Sequence, residues 1–264
     1  MITLIHTSKT MRPAPHNAGL IDAPIFINQA DQLAKYLKSL GKNDLVKMMK
    51  LSEKLATDTI SLIANWNHAA ENQRQAIDSF LGDIYSGLQL SSWSHADLNY
   101  ANNHLLIVSG LYGLLKPKDG IYPYRLEMNY KLPGIESGSL YKYWGRSLAD
   151  QLPVGIEIVN LAAKEYGKLI TDYLDSGRII EPRFLTISPK TNQPTFVVIH
   201  AKIARGAFAR WMIKNRVENT IELVDFKDLG YSYKPELSSI STPTFICKKF
   251  EGLGLSVRLD KQVL

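Results

Sequence analysis

A single cysteine, Cys247, occurs among the 264 residues, which excludes an intrachain disulfide framework and suits a reducing compartment. It follows Thr244-Phe245-Ile246 and reads as a structural strand residue rather than a redox sensor. Long apolar runs are missing as well. Lys, Arg, Asn or Pro interrupts every candidate before the ~20 residues that a membrane-spanning helix requires, so no membrane partner is expected. Met1-Ile2-Thr3-Leu4-Ile5-His6 enters a strand without the basic region and cleavage site of a secretory leader, and a cytoplasmic location is expected. The histidines His6, His16, His68, His95, His104 and His200 are scattered, with no pair at i, i+4 and no Cys/His cluster. Neither a metal site nor a cofactor is expected from them. There is no Gly-x-Ser-x-Gly elbow, and Ser8-Lys9-Thr10 lacks the glycines of a nucleotide-binding P-loop.

Acidic charge is scarce in one region. Residues 116–216 hold 16 Lys/Arg against 9 Asp/Glu, while the remainder holds 15 against 16, so the middle of the chain carries the whole excess of the net +6. Such a concentration suits an anionic partner, either nucleic acid or a phosphorylated small molecule; the alternative is a merely solvated basic surface. Hydrophobic residues at 45% and charged residues at 21% are ordinary for a globular chain of this length.

The local patterns alternate between strand and helix. Ile2–Ile5, Leu105–Val108, Glu157–Leu161, Glu222–Phe226 and Thr244–Lys248 read as strands, and Arg178–Ile187 with Thr195–Ala201 reads as a strand pair turning through Pro189–Asn192. Helical spacing predicts helices over Asn28–Leu40, Leu45–Ala56, Thr59–Trp66, Gln73–Gly82 and Ala201–Val217, with a short helical turn at Asp97–Ala101. Ser8–Ala23 and Ser109–Glu127 are expected as irregular loops, and Gly230–Tyr233 as a turn. No repeat, low-complexity tract or linker divides the chain. The expectation is an α+β (mixed α/β) fold, one large domain over 1–264 with a central mixed sheet and flanking helices.

Several polar residues fall at strand ends or at the starts of the following helices, where α/β proteins place ligands. Lys9 and Thr10 follow the first strand; Arg125 and Glu127 lie just beyond the Ser109 loop; Asn160, Lys164 and Glu165 follow the strand at 157. On the helix beginning at Ala201, Lys202, Arg205 and Arg210 span an arc of about 140° at about 100° per residue. Arginines on such a face can hold phosphate through paired hydrogen bonds, and the alternative is a solvated helix surface. Lys9, Arg125, Lys164, Lys202 and Arg205 are expected to converge in one concave site. Lys164 and Glu165 can also pair with Glu127 and Arg125, and a structural ion-pair network is the competing meaning. Residues Leu33–Ala56 form a helix, a turn at Gly41 and a second helix, similar to a helix-hairpin-helix. Gly41, Lys42 and Lys47 would there meet a DNA phosphate through free amides and charge, although a plain packed hairpin fits the same pattern.

The blocks that hold these residues carry a resemblance. Leu111-Tyr112-Gly113-Leu114-Leu115-Lys116-Pro117, followed by Pro123-Tyr124-Arg125-Leu126-Glu127-Met128, resembles the central signature of the YaaA family of peroxide-stress proteins. So do Leu81-Gly82-Asp83-Ile84-Tyr85-Ser86-Gly87-Leu88, Asn160-Leu161-Ala162-Ala163-Lys164-Glu165-Tyr166 and Lys202-Ile203-Ala204-Arg205-Gly206. The chain departs from the family pattern before Lys9, where Pro-Ala is altered, and at Gly167, where Phe is usual. The resemblance implies a role in hydrogen peroxide stress, limiting iron-dependent DNA damage, and binding to double-stranded or branched DNA. The variety of Lys, Arg, Glu, Asn and Tyr at strand ends exceeds what phosphate neutralisation needs, so an enzyme acting on a small phosphorylated or nucleoside-like substrate stays open.

Overall fold

The computed structural model describes residues 1–15, 21–67 and 73–256; His16 and His68 lie outside these. The chain opens with β1 (Ile2–His6), all five residues buried, and β2 (Thr10–Met11). A helical block follows: α1 (Ile27–Ser39), α2 (Lys42–Met49) and α3 (Glu53–Asn65). The expected Leu45–Ala56 helix is two helices. Lys50 adopts the left-handed conformation at φ 51, and the Ser52 hydroxyl then caps α3 by accepting the Leu55 N–H at 3.4 Å.

Gln73–Gly82 is not the continuous helix its spacing suggests. It divides into β3 (Arg74–Gln75), α4 (Ala76–Ser79) and β4 (Phe80–Leu81), because distant carbonyls claim its amides: Ala76 N–H donates to Asp119 and Ile77 N–H to Pro117. Next come α5 (Asp83–Leu88) and α6 (His95–His104). The second exceeds the short turn expected because Ser94 and Asp97 form a reciprocal capping box. The Ser109 loop contains regular structure between its turns. After β5 (Leu105–Ser109) it reverses into β6 (Gly113–Leu115), with Gly113 at φ +68, and later forms β7 (Gly120–Ile121).

Beyond these lie α7 (Leu140–Trp144), β8 (Ile158–Asn160), α8 (Lys164–Thr171), β9 (Ile179–Ile180), β10 (Arg183–Ile187) and β11 (Pro194–Thr195). The longest helix, α9 (Val198–Asn215), takes four residues expected as strand; packing overrides the β preference of Val198 and Ile199. Glu222–Phe226 is likewise no strand. Thr220–Asp225 forms a 3₁₀ helix whose start is capped by the Asn219 side chain, accepting the Ile221 N–H at 3.0 Å. Of the turn expected over Gly230–Tyr233, the last three residues are strand, β12 (Tyr231–Tyr233), which pairs antiparallel with β13 (Thr244–Cys247).

The fold is α+β, with mixed sheets and flanking helices. A five-stranded sheet runs β6-β5-β1-β8-β9, parallel except at β6, and a four-stranded sheet runs β11-β10-β13-β12 with only β10 and β13 parallel. Between them runs α9. Its Met212 sulfur meets the Thr3 hydroxyl of β1, while Phe208 packs edge-on against Phe184 and Phe245 of the second sheet. Buried on nearly all sides, α9 shows no apolar stripe of the kind a surface helix shows. Its closest neighbour is α5. A Cβ on Gly206 would stand 1.9 Å from the Ile84 carbonyl oxygen, and one on Gly87 would stand 2.1 Å from that of Ile203. Only hydrogen fits at either crossing point. Among the described residues no helix is long and apolar enough to cross a membrane.

Candidate functional site

The first parallel strand ends at a cavity of about 570 Å³, walled by His6 to Thr10, the β4–α5 junction, Glu127, the start of α8 and Lys202 of α9. Its floor is a set of buried hydroxyls. Tyr166 donates to the Glu127 carboxylate at 3.2 Å and stacks on the His6 ring at 4.8 Å. Tyr85 donates to the His6 carbonyl at 3.1 Å. Outside the lining residues, the Ser109 and Tyr124 hydroxyls lie 2.6 Å apart. Burial raises the pKa values of Tyr85, Tyr124 and Tyr166, so all three stay protonated.

Two electrostatic ends can be told apart. At one end His6 is buried, and its pKa is pushed down to about 3 by that burial and then by the positive charges of Arg205 and Lys202. Its Nδ1 accepts the Ala163 N–H at 3.1 Å, so the neutral ring carries its proton on Nε2. Arg205 is itself partly buried, which lowers its pKa against the opposing pull of Glu181. At the other end the Glu127 side chain is only 13% exposed, and Lys9 Nζ stands 3.9 Å away. Burial raises the Glu127 pKa; Lys9, the Tyr166 hydrogen bond and Arg125 act against that, while Glu165 adds to it.

The residues singled out in the sequence divide accordingly. Lys9, Thr10, Glu127, Glu165 and Lys202 line the cavity. Arg205 reaches it through its field on His6, and Arg125 stands behind Glu127, hydrogen-bonded to Tyr130. Lys164 is exposed and belongs to a shallower hollow beside the first, with Asn129, Tyr141 and Lys168. It is Lys9, not Lys164, that pairs with Glu127, and Glu165 instead bonds Asn129. Asn160 is committed to structure. Its amide donates to Glu181 at 2.7 Å, its oxygen accepts the Ala162 N–H at 3.1 Å, and a Cβ on Gly167 would stand 2.6 Å from that amide. Arg210 is not brought to the cavity: it pairs with Asp228 at 2.7 Å and with Gln89. Gly41, Lys42 and Lys47 do not line it either. Gly41 caps α2 at an ordinary φ of −69, and the Asp44 carboxylate lies 3.6 Å from where its Cβ would stand, an acid near the free amides.

Sequence reasoning missed His6, Tyr166, Asp83 and Tyr85. Every residue of β1 is buried, so alternation gives His6 no mark; its position at the end of a parallel strand was the usable signal. Among the described residues no group of three or more His, Cys, Asp or Glu could hold a metal.

Residues 1–237 match the family described as peroxide stress protein YaaA. A UPF0246 protein of Salinispora tropica is 52% identical over 258 residues, 98% of each chain. Another from Marinomonas sp. is 39% identical over 84% of this chain and 87% of its own, and one from Clostridium beijerinckii is 38% identical over 90% and 95%. Matches of this length and identity leave one conclusion: the chain belongs to the YaaA (UPF0246) family of peroxide stress proteins.

Proposed function

We propose that this chain is an enzyme acting on a small phosphorylated or nucleoside-like substrate in the cavity at the end of β1. The observation that carries the reading is the union, in about 570 Å³, of a cationic end at Lys202 and Arg205 with an acid–base pair at Glu127 and Lys9. That volume is in the range of small-molecule sites, roughly 300–1,000 Å³. Neutralising a DNA backbone takes cations and amides. It has no use for a carboxylate held 13% exposed or for a histidine kept neutral by burial. In the proposed arrangement Lys202 holds the anionic group with the field of Arg205 behind it, neutral His6 offers its Nε2 proton, and Glu127 exchanges a proton with substrate beside Lys9. Calorimetric titration with inorganic phosphate and ribose 5-phosphate tests this. Binding is expected in the parent protein and lost in the Lys202→Ala/Arg205→Ala double variant; a parent that binds neither compound, nor a nucleoside monophosphate, at millimolar concentration rules the reading out.

A second reading has its own support. Lys42, Lys47, Lys50 and Lys54 are all exposed on α2, α3 and their junction, a set of charges that suits phosphate backbone contacts. On this reading the protein is a cytoplasmic DNA-binding member of the hydrogen peroxide response that limits iron-dependent damage. A gel-shift titration of duplex and branched DNA against the parent and a variant with these four lysines changed to Gln tests it. Unaltered DNA affinity in the variant removes this surface from consideration.

A further inference from the structure

The geometry points to a nucleoside 5′-monophosphate as the ligand, spread over two adjoining cavities. This rests on the reading above, which assigns the Lys202 and Arg205 end to a phosphate. A second cavity of about 480 Å³ shares Leu81, Gly82 and Tyr85 with the first. Its chemistry differs. Ile77, Phe80, Leu88 and Leu90 supply an apolar wall, and of its charged groups Asp78 is shared between Arg74 at 2.6 Å and Arg12 at 3.5 Å. A ligand part seated there presents an apolar surface. At the divide stands Gly82, at φ +153, where a Cβ would come within 2.8 Å of Ser8 Oγ in the wall of the first cavity. A side chain at 82 would therefore press on the boundary between the two spaces, and the chain has none.

Tyr85 is the other shared element. Its hydroxyl is engaged with the His6 carbonyl at 3.1 Å, and its ring packs at 5.3 Å on Phe80, a wall residue of the second cavity. An aromatic wall of this kind suits a flat ring, because base-on-aromatic stacking tolerates every base. The first cavity offers Lys202, Lys9 and the hydroxyls of Ser8 and Thr10, and the adjoining one an aromatic and aliphatic recess. That pairing matches a sugar phosphate joined to a base. A sugar phosphate alone would leave the recess empty.

Calorimetry with AMP, UMP and ribose 5-phosphate on the parent protein and on Leu90→Trp tests the assignment. Leu90 is only partly buried, so the indole can enter the second cavity without rebuilding the core; Ser91→Trp, at an exposed position of the same wall, is the companion should Leu90→Trp lower the melting temperature. At least one nucleotide is expected to bind ten-fold or more tighter than ribose 5-phosphate, and the tryptophan to reduce that binding at least five-fold while ribose 5-phosphate changes less than two-fold. Nucleotides that bind no tighter than ribose 5-phosphate, or a tryptophan that weakens both equally, overturn the two-cavity assignment and leave the phosphate reading standing. If ribose 5-phosphate and both nucleotides fail to bind at millimolar concentration, the phosphate reading itself falls and takes this one with it.

Discussion

Arg205 and His6 set the terms at the residue scale. Arg205 is a partly buried cation whose burial cost is opposed by the attraction of Glu181, so the folded chain bears a desolvation cost that an anionic ligand would relieve. Arg205→Ala should weaken ligand binding by less than the roughly 1.5–3 kcal/mol of a direct charge-assisted contact, because Arg205 acts on the cavity through its field, while thermal melting stays level or rises. Lys214 is exposed and donates only to the Ser92 carbonyl, so Lys214→Ala should cost a few tenths of a kcal/mol. Equal losses in calorimetry would replace the defined site by a diffuse field. His6 gives a pH signature. Its folded pKa is depressed to about 3 against the ordinary histidine value of 6.5, so below 6.5 the unfolded chain takes up a proton that the folded chain refuses. Its contribution is complete above pH 6.5 and is lost as pH falls toward about 3, with a limiting slope of about 1.4 kcal/mol per unit. Denaturant melts between pH 7 and 4.5 should show that loss in the parent and a shallower one in His6→Asn, whose side-chain oxygen can still accept the Ala163 N–H. Parallel slopes for the two would mean that His6 protonates freely in the fold.

At the scale of elements, the joint between α5 and α9 positions the site. These helices carry Asp83 and Tyr85 on one side and Lys202 and Arg205 on the other, and they meet through Gly87 and Gly206. The space beside Gly206 is filled by the Ile84 carbonyl. Gly206→Ala should therefore destabilise the protein by roughly 2–4 kcal/mol, since backbone must move to admit the methyl group. Urea midpoints check this, and a midpoint unchanged from the parent would mean the helices are less closely joined than the structure shows. Elements of this kind divide the legible from the illegible. β1, β5, β8 and β13 were readable because each is a short apolar run, and α1 because its apolar face repeats. The segment at 73–82 was not, because its hydrogen-bond partners lie some forty residues away at Pro117 and Asp119. Arg210 was misjudged for a related reason: angular position on α9 cannot reveal that Asp228 and Gln89 already hold it. Lys9, Glu127 and Lys202 do meet at one cavity, and of these Lys9 follows the end of a parallel strand, a position legible in the sequence.

At the scale of the whole molecule, the net charge of +6 and the charge of the cavity are different quantities. The cavity wall holds Lys9 and Lys202 against Asp83, Glu127 and Glu165, with Arg205 acting from behind, so it is near balance while residues 116–216 hold the excess. Most of that excess is therefore placed elsewhere, much of it on exposed side chains such as Lys116, Lys131, Lys142, Arg146, Lys164, Arg183 and Lys190. The two proposed partners should consequently respond differently to salt. A nucleotide in the cavity meets two or three cations at close range, partly shielded from the ionic atmosphere, and its affinity should fall by less than about ten-fold between 50 and 200 mM salt. A duplex held by surface lysines releases counterions at each contact, so even four phosphate contacts should cost about 100-fold over the same range, and more contacts a larger factor. Fluorescence anisotropy with a labelled 20-base-pair duplex, run beside nucleotide calorimetry at matched salt, separates them. A shallow duplex slope with displacement by AMP would place DNA in the cavity and merge the two readings. A steep duplex slope indifferent to saturating AMP is the expected result if both partners bind, and it would assign them to separate surfaces of one protein.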